Sequence, residues 1–137
     1  MKKYPRQIVG NIGLYYVCYE LSKRGWNVMP TTRNAKGVDA IVYSQDRKRK
    51  FTIQIKSLSK RAPVSLGTDL EKLKIADYLI VCRNVMENPE LFITTIDELI
   101  QSNRIHRGEK EGKVSYWIEP KDYEDLKDKW GELESGV

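Results

Sequence analysis

An α/β domain is predicted from three observations. Residues 38–43 and 51–57 are two runs rich in β-branched and aromatic side chains, joined by a strongly polar turn. Residues 10–24 form a helix-length segment closed by Gly25, and Tyr78 to Arg83 is a continuous apolar run of the kind found in strands covered on both faces. At 137 residues the chain suits one domain, 1–137, able to bury about two-thirds of its unfolded surface. No linker or internal repeat interrupts it.

Taken in order, residues 10–24 carry apolar side chains at Ile12, Tyr15, Tyr16, Val17, Cys18 and Tyr19, more than one stripe, which predicts a largely buried helix with its tyrosines in the core. Residues 26–30 read as a first strand. Residues 31–37 read as a polar loop whose glycine lets the backbone approach a phosphate or a metal. The runs 38–43 and 51–57 then pair as a hairpin. Residues 57–68 are polar, contain Pro63 and Gly67, and predict a loop rather than sheet after the second run. A short helix in 69–76, strands at 78–83 and 91–94, and a helix to about Ser102 follow, the last opened by a capping box of Thr95 and Glu98. Residues 114–118 suggest an edge strand. Tyr123, Leu126 and Trp130 recur at helical spacing in 120–130 and suggest packing.

The chemistry concentrates in the hairpin. In the second run Phe51, Ile53 and Ile55 alternate with Thr52, Gln54 and Lys56, so Gln54 and Lys56 share one face. Asp39 stands near the start of the preceding run, and antiparallel pairing brings the start of one strand beside the end of the next. Magnesium takes hard oxygen ligands and keeps several waters; Asp39, the Gln54 side-chain oxygen and the Ile55 carbonyl make a suitable protein share of its shell. A charged lysine cannot ligate, but Lys56 can stabilise phosphorane charge or help to deprotonate the attacking water. This is the layout of a metal-dependent phosphodiesterase.

Gly13, the helical stretch from Leu14 to Arg24, the break at Gly25-Trp26-Asn27-Val28, then Gly37-Val38-Asp39 and Gln54-Ile55-Lys56-Ser57 together resemble the PD-(D/E)XK nuclease superfamily over roughly the first sixty residues. The resemblance implies a restriction-endonuclease-like three-layer α/β/α core with a central mixed β-sheet. It also implies Mg²⁺ as cofactor, with Mn²⁺ able to substitute, and DNA as substrate. By position Asp39 is the central metal ligand, Gln54 stands where Asp or Glu is usual, and Lys56 is the catalytic lysine. Gln54 removes one negative charge from the site, so weaker metal binding is expected. Many members carry a glutamate directly after the first-helix glycine, where this chain has Leu14; Glu20, the acid on that helix, lies about 240° around the axis from it. A catalytically inactive nucleic-acid-binding domain of the same fold, or a protein-interaction module, are the alternatives.

Charge gives an independent line. Residues 1–61 hold 14 Lys and Arg against 3 acids, and residues 62–137 hold 10 against 16, within a net charge of +5. A basic half that also contains the proposed site suits a phosphate-backbone binder, with Arg33, Lys36, Lys60 and Arg61 as contacts. The run Arg47-Lys48-Arg49-Lys50 reads equally as a solvated hairpin tip. The lone His106 has no second histidine beside it, and touches nucleic acid or decorates a loop. Cys18 and Cys82 lack metal spacing and read as small buried hydrophobes in a reducing compartment. No apolar run approaches the length of a membrane span, and Arg6 and Gln7 interrupt any signal-like start, so a cytoplasmic protein is expected. No small-molecule cofactor is implied. Because so small a domain cuts one strand per site, double-strand cleavage would call for a homodimer.

Overall fold

The computed structural model describes residues 3–32 and 36–137. Helix α1 (Arg6–Lys23) starts earlier than the apolar pattern suggests, directly after Pro5, whose fixed φ and missing N–H suit a helix entrance. It stops at Gly25, which adopts φ 91°. The Gly25 N–H bonds to the Ser22 carbonyl at 3.0 Å and the Trp26 N–H to the Leu21 carbonyl at 3.2 Å, the pair of bonds of a Schellman cap.

The chain then enters a five-stranded mixed sheet in the order β1 (Asn27–Pro30), β2 (Ala40–Tyr43), β3 (Lys50–Ser57), β5 (Tyr78–Arg83), β6 (Glu90–Thr95). Only β3 and β5 are parallel, with Ile53 opposite Tyr78 and Ile55 opposite Ile80; the other neighbours are antiparallel. Every residue of β5 is buried because both sheet faces are covered. Tyr78, Ile80 and Cys82 join the core beneath α1, with Val17, Leu21, Val42 and Ile53. Leu79 and Val81 join a second core on the opposite face.

That second core is closed by a small antiparallel sheet, in the order β4 (Val64–Gly67), β8 (Lys113–Ile118), β7 (His106–Lys110), and by three short helices. These are α2 (Leu70–Leu73), α3 (Ile96–Gln101) and α4 (Pro120–Tyr123), which contribute Leu73, Ile96, Leu99 and Tyr123. The central mixed sheet with a long helix on one face agrees with expectation. The other face carries strands together with helices rather than a plain helical layer.

Several readings are corrected. A single stripe of α1, Val9, Gly13, Val17 and Leu21, is buried, because the helix touches the sheet along one side only; Tyr15 and Tyr19 are exposed rather than core. The segment 57–68 contains β4, whose Val64 and Leu66 alternate into the second core. Residues 114–118 fall in the middle strand of the small sheet, not at an edge, because residues 106–110 form an outer strand rather than a loop. The two strands meet at Glu111 and Gly112, both at positive φ, as a tight two-residue hairpin demands. Thr95 does cap α3 by accepting from the Glu98 N–H at 3.1 Å. After α4 the chain continues as a short 3-10 turn, Glu124–Leu126, instead of a long helix.

The hairpin tip is likewise divided. Arg47, Lys48 and Lys50 are exposed, whereas Arg49 turns inward, donates to the Glu132 and Ser135 carbonyls and lies over the Trp26 ring. Cys82 is buried, which pushes its thiol up to about 12, and Cys18 is half-buried; both are free. Among the described residues no helix is long and apolar enough to cross a membrane.

Candidate functional site

The site forms where β2 runs out beside β3. Residue Ala40 opens β2 opposite Ile53, and the Asp39 N–H also bonds to the Ile53 carbonyl at 2.8 Å. That bond keeps Asp39 against β3 one residue beyond the regular ladder. The Asp39 carboxylate reaches the next free backbone group: its Oδ2 accepts from the Ile55 N–H at 2.7 Å. Behind it Thr31 holds the peptide from both sides. Its N–H donates to the Asp39 carbonyl at 2.9 Å and its hydroxyl to the Val38 carbonyl.

The backbone of β3 divides its work by parity. Thr52 accepts from the Asp77 N–H and Leu58 donates to the Cys82 carbonyl, so even-numbered residues turn their peptide groups toward β5. Odd-numbered residues turn theirs toward β2, and β2 has no residue opposite Ile55. The Ile55 carbonyl therefore lies on the same strand edge as its N–H, the edge that Asp39 occupies. The side chains of Ile53 and Ile55 point to α1, and by alternation Gln54 and Lys56 point to the other face.

Gln54 is the most telling of these residues. Its Oε1 is buried and has no hydrogen-bond partner among the described residues. An acceptor desolvated without a donor costs about 1–3 kcal/mol, so such an atom asks for a cation or a water. Two residues on, burial holds the half-buried Lys56 ammonium below the ordinary lysine value, an effect that the Asp39 charge partly offsets. The donor set is one carboxylate, one amide oxygen and one peptide carbonyl. Among the described residues no group of three or more His, Cys, Asp and Glu gathers anywhere. An all-oxygen set with a single acid fits a hard cation that keeps most of its water, which is how magnesium binds.

The helix that backs the site approaches closely. A Cβ placed on Gly13 would stand 1.9 Å from the Ser57 Oγ and 2.7 Å from the Ser57 Cβ, so the glycine lets α1 settle onto the end of β3. Leu14 follows it half-buried. Glu20 is committed elsewhere: it accepts from Tyr16 and Arg24, each at 3.2 Å, and lies 3.8 Å from Lys23.

Of the expected phosphate contacts, Lys36 and Lys60 are exposed, and Arg33 lies outside the described residues. Arg61 is exposed but paired, its Nε 3.0 Å from Glu124. The same carboxylate takes a 2.6 Å bond from the buried Arg83, which also pairs with Glu90 at 3.2 Å. His106 is stacked on Trp117 and bonded to Asp122 at 2.8 Å, on the small sheet. Thr31, which holds the peptide groups of Val38 and Asp39, is the part of this arrangement that the sequence did not flag. A hydroxyl after Pro30 at a strand end was its only signal.

No family model and no curated protein matches the chain. A solved structure does: the bacterial homing endonuclease I-Ssp6803I. The TM-score is 0.61 at 11% sequence identity, over 96% of this chain and 94% of that one. At that identity the similarity is one of fold, and it spans both sheets rather than the hairpin alone. What the two proteins have in common is the mixed α/β fold described above.

Proposed function

We propose that the chain is a metal-dependent DNA endonuclease of the PD-(D/E)XK type, a Gln-x-Lys variant with a restriction-endonuclease-like fold. The observation that carries this reading is the buried, unpartnered Gln54 Oε1 on the strand that also receives Asp39 and presents Lys56. The fold similarity to a homing endonuclease supports it from a separate direction.

Asp39, the Gln54 Oε1 and the Ile55 carbonyl would hold Mg²⁺, or Mn²⁺ in its place. When bound, such a cation supplies a water of lowered pKa and positive charge for the phosphate oxygens. Asp39 orients that group because its own carboxylate is pinned to the Ile55 N–H. Lys56 stands on the same face as Gln54; as an ammonium it offsets charge on the pentavalent phosphorus, and in its neutral form it takes the proton of the attacking water. Its lowered pKa brings the second role nearer to neutral pH. Water oxygen bonds to phosphorus as the bond from phosphorus to the leaving deoxyribose oxygen breaks, and that oxygen keeps the electron pair and takes up a proton from solvent water. Lys36 and Lys60 would hold the flanking phosphates, while Arg61 is engaged by Glu124.

The test is cleavage of supercoiled, linear and branched DNA with Mg²⁺, Mn²⁺ or EDTA, beside Lys56→Ala and Asp39→Ala proteins of unchanged melting behaviour. Metal-dependent cutting by the parent and by neither variant is expected. Salt-sensitive DNA binding without cutting by the parent would instead favour a nucleic-acid-binding domain of the same fold, the reading that the lone carboxylate and Leu14 recommend. Failure to bind any DNA or RNA would favour a protein-interaction module.

A further inference from the structure

Asp39 does not bond as a regular strand residue does. In an antiparallel ladder the N–H and the carbonyl of one residue address the same neighbouring strand. The Asp39 N–H instead donates to the Ile53 carbonyl of β3 at 2.8 Å, while its carbonyl accepts from the Thr31 N–H, just past the end of β1, at 2.9 Å. The residue is stretched between two strands, outside the regular ladder that β2 and β3 begin at Ala40. Thr31 holds this conformation with two bonds that fall on successive peptide planes. Its hydroxyl donates to the Val38 carbonyl at 2.5 Å, on the plane that also carries the Asp39 N–H, and its own N–H holds the plane that follows. Because peptide planes are rigid, holding the two that flank a Cα atom fixes both of its backbone dihedrals. The Asp39 carboxylate is the group that this sets. Its Oδ2 lies on the Ile55 N–H at 2.7 Å, which leaves Oδ1 to face a cation.

We propose that Thr31 is a positioning residue for the metal site: without touching a cation, its hydroxyl sets the orientation in which Asp39 presents Oδ1, and through it the affinity for metal. The inference rests on the reading of Asp39 as a metal ligand given above. The hydroxyl is the agent rather than the bulk of the side chain. Valine would fill the same space and leave the half-buried Val38 without a donor for its carbonyl. Threonine suits the place because branching at Cβ restricts χ1, so the hydroxyl gives up little freedom on forming its bond. Serine can make the same bond from a looser side chain. Pro30, fixed in φ, precedes Thr31 and stiffens the end of β1 from which it reaches across. Partners one step removed from a metal typically carry a factor of about 10–100 in affinity, and an effect of that size is expected here.

The experiment compares the full-length parent with its Thr31→Val and Thr31→Ser variants by two measurements. Amide hydrogen exchange in EDTA, read by NMR, follows the Ile55 N–H, with the buried amides of β5 as the internal standard for any change in global stability. Calorimetry follows Mn²⁺ binding without DNA. In the valine variant, relative to that standard, Ile55 should exchange several-fold faster, and Mn²⁺ should bind at least about tenfold more weakly. Serine should restore most of both. In DNA cleavage the valine variant should lose kcat at near-parental KM, the split expected of a residue that orients a reacting group without binding substrate. An Ile55 amide that Thr31→Val leaves unchanged would overturn the positioning role, and a faster Ile55 amide with parental Mn²⁺ affinity would overturn its consequence. Serine no better than valine would also overturn it, because the hydroxyl would not then be the agent. A parent that binds no Mn²⁺ would overturn the metal reading and this proposal with it. The Ile55 amide, measured without metal, keeps that failure distinct from a failure of Thr31 to hold Asp39.

Discussion

Gln54 and Lys56 are both held in surroundings that disfavour them, and this makes their substitutions informative. Gln54→Glu places a carboxylate where an amide oxygen lacks a donor, so the metal-free protein should lose roughly 1–3 kcal/mol of stability. Added Mn²⁺ should restore more melting temperature to this variant than to the parent. Lys56→Met should do the reverse. Burial lowers the Lys56 pKa below 10.5, so the folded protein binds this proton less tightly than the unfolded chain. Stability therefore rises with pH as Lys56 loses its proton, through a window that ends near the unfolded lysine value of 10.5, and the cost of the buried charge is borne below that window. The methionine variant should melt a few degrees higher than the parent at pH 7, converge with it toward that alkaline limit, and cut no DNA. Melting curves at both pH values decide this. The shared face of Gln54 and Lys56, with Asp39 against the same strand, was legible in the sequence because strand alternation and antiparallel pairing alone set it. Thr31 was not, since its role depends on a loop closing back on Val38 and Asp39, and residue type does not encode closure.

Among the elements, the seating of α1 on β3 depends on one missing side chain. Gly13→Ala would drive a Cβ into Ser57 and should destabilise the protein by about 1–3 kcal/mol, read as a lowered melting temperature. Gly13→Ala combined with Ser57→Gly should recover most of that loss, because the second change removes both colliding atoms. Elements whose burial follows one local period were readable: β3 from its alternation, β5 from its apolar run, α1 from its cap at Gly25. The small sheet was not. Strand β7 reads His-Arg-Gly-Glu-Lys and is half exposed, and its pairing is set by the Glu111-Gly112 turn rather than by hydrophobicity. The tyrosines of α1 misled for a related reason, since aromatic spacing shows that a helix has a stripe but not which stripe meets the sheet.

Over the whole molecule, the contrast between a basic first half and an acidic second half in sequence does not become two separate surfaces. Glu124 of the second half neutralises Arg61 of the first and the buried Arg83, and Asp125 pairs with Arg104. Lys36 and Lys60 stay exposed beside the hairpin. DNA affinity should fall steeply with salt, and Lys36→Ala or Lys60→Ala should each reduce the slope of log affinity against log salt by about one. The most direct test of the site is calorimetric titration of Mn²⁺ into the parent, Gln54→Glu and Gln54→Leu proteins without DNA. The expected order of affinity is Glu over Gln over Leu, with the leucine variant binding at least about tenfold more weakly than the parent. Equal affinity in all three, or no binding by any of them, would contradict a metal site built on Asp39 and Gln54.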